Sequence, residues 1–121
     1  MMSTILFTIN DETFEAILTE NETTQALIEQ LPLEITMNDL NANEKYFDLD
    51  QSLTTQSEQV NFIENGDFML YGGRTIVLFY KDFETPYSYT RLGKVSQSEN
   101  LASVLGKGKV DVRIEWKDEQ V

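Results

Sequence analysis

A two-residue period recurs along most of this chain, and only two short stretches break it with helical spacing. The clearest case is KVDVRIEW near the C-terminal end. Val110, Val112, Ile114 and Trp116 alternate with Asp111, Arg113 and Glu115. Such alternation puts successive side chains on opposite faces of a strand, one face dry and the other wet. TILFTI (4–9) repeats the pattern with Ile5, Phe7 and Ile9, and TFEAILT (13–19) returns with Phe14, Ala16 and Leu18. Between them NDE supplies Asn and Asp, which tolerate the left-handed backbone of a tight turn. The two segments therefore read as a hairpin.

The period then changes. Thr24, Leu27, Ile28 and Leu31 form one helical stripe, with Asn21 as N-cap and Glu22 and Glu29 facing solvent. Pro32 stops this helix, expected over 22–31, because the residue before a proline is pushed out of the α region. LEITM (33–37) is expected as a third strand, NDLNAN as a loop and EKYFDL (44–49) as a fourth strand. QSLTTQSEQVNF has no clear period and reads as a surface loop, and IENGD (63–67) as a turn. FMLY (68–71) and TIVLFYKDF (75–83) flank Gly72-Gly73 as a second hairpin. The run IVLFY is apolar on both faces, which suits a strand with a barrel interior on one side and a packed helix on the other. YSYTRLGKV follows as a strand. Ser96 and Glu99 have capping-box spacing before the short stripe Leu101, Val104 and Leu105, which GKG ends. KDEQV is expected to fray.

The sum is about eight strands and two short helices. Two helices are too few to cover both faces of an open parallel sheet. They suit the ends of a closed antiparallel barrel, which also removes exposed strand edges. With 121 residues, the chain reads as one domain, 1–121.

Composition narrows the chemistry. The net charge of −12 opposes binding to nucleic acid and to an anionic membrane. The chain has no His and no Cys, which excludes Ser-His and Cys-His relays, thiolate metal sites and zinc sites of the usual ligand set. The Asp-rich loop with a fixed glycine that marks a calcium site is missing. No cofactor and no metal are expected. MMSTILFTIN lacks the features of a signal peptide, and no run of about 18 apolar residues is present. The expected location is therefore the cytoplasm.

The words LPLEITMNDLNANEKYF, GDFMLYGGRTIVLFYKDF, YSYTRLGKV and VDVRIEW together resemble the bacterial cyclophilin-like domain family of unknown function, over about residues 4 to 115. The resemblance implies an all-β cyclophilin-like closed barrel capped by helices. The wider superfamily includes peptidyl-prolyl isomerases, but their arginine-bearing F-H-R segment, their Q-F-F-I strand and their later Trp and His positions have no counterpart here. It also includes domains related to allophanate hydrolase and 5-oxoprolinase subunits. Fold alone therefore leaves function open.

Two segments carry candidate binding residues. MNDLNANEKYF packs Asn38, Asp39, Asn41, Asn43, Glu44 and Lys45 into a short stretch. These residues either satisfy their own turn or form the rim of a pocket, with Asp39 and Glu44 a conceivable acid–base pair. In PYSYTRLGK a strand places Tyr87, Tyr89 and Arg91 on one face. There Arg91 serves as a structural ion pair, or as one member of an aromatic–guanidinium platform for an anionic or aromatic molecule. Tyr46 and Tyr80 are expected nearby. The expected function is binding of a small anionic or amide-bearing ligand, or a peptide, in a groove built from 37–46 and 80–91. The alternatives are a weak prolyl isomerase or other enzyme acting on an amide-like substrate, and a purely structural module.

Overall fold

The computed structural model describes residues 3–117, so KDEQV beyond Lys117 lies outside the described residues. Strands β1 (Ser3–Ile9) and β2 (Glu12–Leu18) form the expected hairpin. Asn10 and Asp11 turn it with φ of 50° and 68°. Ile5 pairs with Ala16 and Phe7 with Phe14, and all four face the core. Helix α1 (Glu22–Ile28) is capped by Asn21, whose side chain accepts from the Thr24 amide at 2.8 Å. The Thr24 hydroxyl accepts from the Asn21 amide in return. The helix is shorter than its stripe. The amides of Gln30 and Leu31 bond the carbonyls three residues back, a tighter turn that ends the α geometry.

Strand β3 (Leu33–Leu40) runs past the expected end at residue 37 and pairs with β4 (Glu44–Asp48). Asn38 and Asp39, expected in a loop, are strand residues opposite Tyr46 and Lys45. The turn shrinks to 41–43, where Asn41 and Ala42 take left-handed φ of 55° and 54°. The expected loop at 51–62 is mostly exposed but buries Leu53 and Val60. It ends in two short strands, β5 (Glu58–Gln59) and β6 (Phe62–Ile63). Strands β7 (Asp67–Tyr71) and β8 (Thr75–Phe79) form the second hairpin, and Phe83–Glu84 is a separate strand, β9. Then come β10 (Ser88–Val95), α2 (Leu101–Leu105) and β11 (Val110–Trp116). The capping box expected from Ser96 and Glu99 does not form. The N-cap of α2 is Asn100, with no side-chain cap bond.

The antiparallel order β2-β1-β11-β3-β4-β8-β7-β10 closes on itself through β10 and β2, giving a barrel of eight strands. Closure brings β10 against β2 at Gly93, where a Cβ would lie 2.5 Å from the Ile17 carbonyl oxygen. Glycine there is a packing requirement, and β10 also shifts register against β7 between Arg91 and Gly93. Helix α1 links β2 to β3 at the barrel end defined by the Ser3–Leu18 pair. Helix α2 links β10 to β11 at the opposite end, where Asn10 donates to the Val104 carbonyl. Leu27 of α1 and Leu101 and Leu105 of α2 join the interior cluster, so the helices seal the two mouths.

The barrel interior holds a charged residue. Lys45 is fully buried on the inner face of β4. Its Nζ donates to the carbonyls of Gly106 (2.8 Å) and Gly108 (2.5 Å), just past α2, and lies 3.0 Å from Asp39 Oδ1. Asp39 Oδ1 also accepts from the Tyr80 hydroxyl. A buried ammonium persists only with such a full set of partners.

β8 is covered on both faces, as IVLFY implies, but no helix supplies the outer cover. Ile76, Leu78 and Tyr80 enter the barrel core. Val77 and Phe79 pack outward with Met69, Tyr89, Val60, Ile63 and Phe83. The β6–β9 ribbon, with Phe62 opposite Glu84 and Ile63 opposite Phe83, contributes Ile63 and Phe83 to that cover.

Candidate functional site

The period of two along β4 sends Lys45 into the barrel and Glu44, Tyr46 and Asp48 to its outer surface. Opposite them on β8 stand Phe79, Val77 and Thr75. On β7, Tyr71 pairs with Thr75. The segment from Phe83 to Tyr89 rises beside this surface. Its path is set by Thr85, whose amide donates to the Asn61 carbonyl at 3.0 Å and whose hydroxyl accepts from the Tyr87 amide at 3.2 Å. The result is a cavity of about 450 Å³ on the outside of the barrel wall.

Its walls are aromatic. Tyr46 and Val77 come from the barrel, Tyr71 from the end of β7, Tyr89 from the start of β10, and Phe83 and Tyr87 from the segment before it. Tyr71 stands edge-on to Tyr87, with ring centroids 6.0 Å apart, and 5.6 Å from Tyr89. Tyr89 in turn stands edge-on to buried Phe79 at 5.5 Å. Such tilted and T-shaped contacts are the arrangement that aromatic pairs prefer. Tyr89 is buried, whereas Tyr71 and Tyr87 are about half exposed, at 46% and 57%. Leu40, Asn41 and Asn43 form the rim at the β3–β4 turn.

The polar chemistry of the cavity is acidic. Glu44, Asp48 and Glu84 line it, and no Lys or Arg does so among the described residues. Asp48 accepts from the Thr75 hydroxyl at 2.6 Å. Burial, and secondarily the negative charge of Asp39, push the Glu44 carboxyl up from 4.5 to about 7. Burial and the Glu44 charge also raise Tyr89, against a hydrogen bond with Thr85. Behind the wall, burial raises Tyr80, assisted by its hydrogen bond to Asp39 and by that residue's charge. Burial acts to raise Asp39 as well, but hydrogen bonds from Tyr80, Lys45 and the Ala42 amide, with the Lys45 charge, bring it below its ordinary value. Asp39 is thus a fixed anion that satisfies its own turn and the barrel interior, while Glu44 next to it changes charge near neutrality.

The structure gathers four of the seven residues singled out in the sequence: Glu44, Tyr46, Tyr87 and Tyr89 line one cavity. Asn38 lies opposite Tyr46 on β3 but outside the lining. Tyr80 faces the interior, where its ring lies 5.5 Å from Lys45 Nζ. Arg91 does not join the tyrosines. Its Nε lies 3.2 Å from Glu58, and it shares a separate groove with Lys94, Glu64 and Asp67. The reason is local. Residue 89 lies under the 83–87 segment, and the next outward residue, 91, has already moved past it along the strand. Tyr71 and Asp48 belong to the cavity but lie outside the segments expected to build it, and Phe83 and Glu84 lie within the 80–91 segment but were not singled out. Asp48 follows from the alternation Glu44, Tyr46, Asp48, whereas Glu84 depends on how the β9 segment folds back.

An eight-stranded closed antiparallel barrel sealed by two short helices, with a cavity on its outer wall, is a cyclophilin-like arrangement. The model of the cyclophilin-like family matches residues 7–115, and the chain belongs to that family. No curated protein and no solved structure matches it. No helix among the described residues is long and apolar enough to cross a membrane.

Proposed function

We propose that this cyclophilin-like domain is a binding module, and that its ligand, a small amide-bearing molecule or a peptide side chain, occupies the cavity between β4, β8 and the 83–89 segment. The observation that carries this reading is a cleft of about 450 Å³ whose aromatic walls pack against one another and surround a few polar groups. Of the ligand classes the sequence suggested, amides and peptides suit this lining. An anionic ligand does not, because it would meet Glu44, Asp48 and Glu84 with no cation to offset them. Prolyl isomerisation is not favoured either. The arginine that such a reaction uses to hold the twisting amide has no counterpart in the lining.

Amide-resolved NMR with a panel of N-acetylated amide fragments and an Ala-Pro peptide tests this. Shifts confined to 40–48, 71–77 and 83–89 are expected, without enhanced cis–trans exchange of the peptide. Fragments that shift only the groove around Arg91 and Lys94 would refute the assignment.

A further inference from the structure

Resting on that cavity as the binding site, we infer that it selects an organic cation, an ammonium or guanidinium group presented to the Glu44 carboxylate beside Tyr46, Tyr87 and Tyr89. Three observations converge on this. The walls are tyrosines, whose ring faces carry the negative end of the aromatic quadrupole and attract cations. The acids in the lining are not balanced by any Lys or Arg among the described residues. Finally, the Glu44 carboxylate has no hydrogen-bond or ion-pair partner among the described residues, although it is partly buried. A partly desolvated carboxylate without a counter-charge is costly, and a cation that enters the cavity relieves that cost.

The other candidate cation-holding places are weaker. The acidic recess formed by Glu12, Glu15 and Glu99 has only Phe14 as an aromatic wall. The groove at Arg91 and Lys94 already contains cations.

The shared chemistry can come from a free amine or from a Lys or Arg side chain of a peptide, and the assay separates the two. Binding would be measured by NMR at pH 8 in about 150 mM salt, where the field of the acidic protein is screened beyond about 8 Å. The probes are agmatine, acetyl-Gly-Arg-Gly-amide, neutral acetyl-Gly-amide and benzoate. Agmatine or the Arg peptide is expected to shift the amides of 40–48 and 83–89. Glu44→Gln is expected to weaken that binding about tenfold, the scale of one lost charge-assisted contact. Arg91→Ala, outside the cavity, is expected to leave it within about twofold. Agmatine binding more tightly than the peptide identifies a free amine as the source, and the reverse order identifies a peptide. If acetyl-Gly-amide or benzoate binds as tightly as the cations, or if Glu44→Gln changes nothing, cation selection is wrong while the cavity remains the binding site. If no probe shifts cavity amides, both readings fail.

Discussion

Glu44→Gln also tests the electrostatics of the cavity through stability, with no ligand present. The Glu44 carboxyl rises from 4.5 to about 7 on folding, so the native state binds its proton more tightly than the unfolded chain does. Below about pH 4.5 both states are protonated, and Glu44 contributes no pH-dependent cost. Between 4.5 and 7 the unfolded chain is ionised and the native state is not, so stability falls as pH rises. Above 7 both are ionised and the full cost of the buried charge is present. At about 1.4 kcal/mol per pH unit the upper bound is about 3 kcal/mol. The carboxyl faces an open cavity that water enters, which reduces the figure to about 1–2 kcal/mol. Glutamine keeps the shape and removes the charge. The variant is therefore expected to be more stable than the parent by about 1–2 kcal/mol at pH 8 and to match it at pH 4. In thermal unfolding that is a gain of about 4–8 °C at pH 8, vanishing at pH 4. Every other titrating group is common to both proteins, so the difference isolates Glu44. A difference that does not vary with pH, or a variant less stable at pH 8, would refute the reasoning.

Other outcomes follow from the same geometry. Lys45→Met leaves two interior carbonyls without their donor and takes the cation from Asp39, and is expected to cost about 3–5 kcal/mol, read as a lower urea midpoint at unchanged m-value. Asp39→Asn added to Lys45→Met removes the carboxylate charge and should recover part of that loss. Gly93→Ala forces a Cβ against the Ile17 carbonyl and should cost about 1–3 kcal/mol by the same assay. Arg91→Ala breaks only an exposed pair with Glu58 and should cost no more than about 1 kcal/mol.

The elements that were legible in the sequence are those whose cause is local. The β1–β2 hairpin follows from alternation and two residues that accept left-handed φ. The Asn21 cap follows from side-chain reach, and the double-faced burial of β8 from IVLFY. The end of β3 was misplaced because Asn38 and Asp39 look like turn residues, yet their partners on β4 extend the ladder through them. The cap of α2 was misplaced because a capping-box spacing holds only if the helix begins at its first residue.

The candidate site divides the same way. Glu44, Tyr46 and Asp48 share a face because strand geometry repeats every two residues, whereas Tyr87 precedes β10 and reaches the cavity through the path of the chain before the strand. The first relation is short-range and belongs to the sequence. That these residues meet was decided by the β4–β8, β8–β7 and β7–β10 pairings, which set β4 and β10 on either side of β8 and β7, and by the 83–87 segment folding over the wall. The β5–β10 pairing set Glu58 beside Arg91, outside the cavity, which leaves the cavity lining acidic. Period and propensity act over a few residues, so they determine what each strand presents. Which presentations face each other depends on pairings between residues tens of positions apart, and only the tertiary structure supplies them.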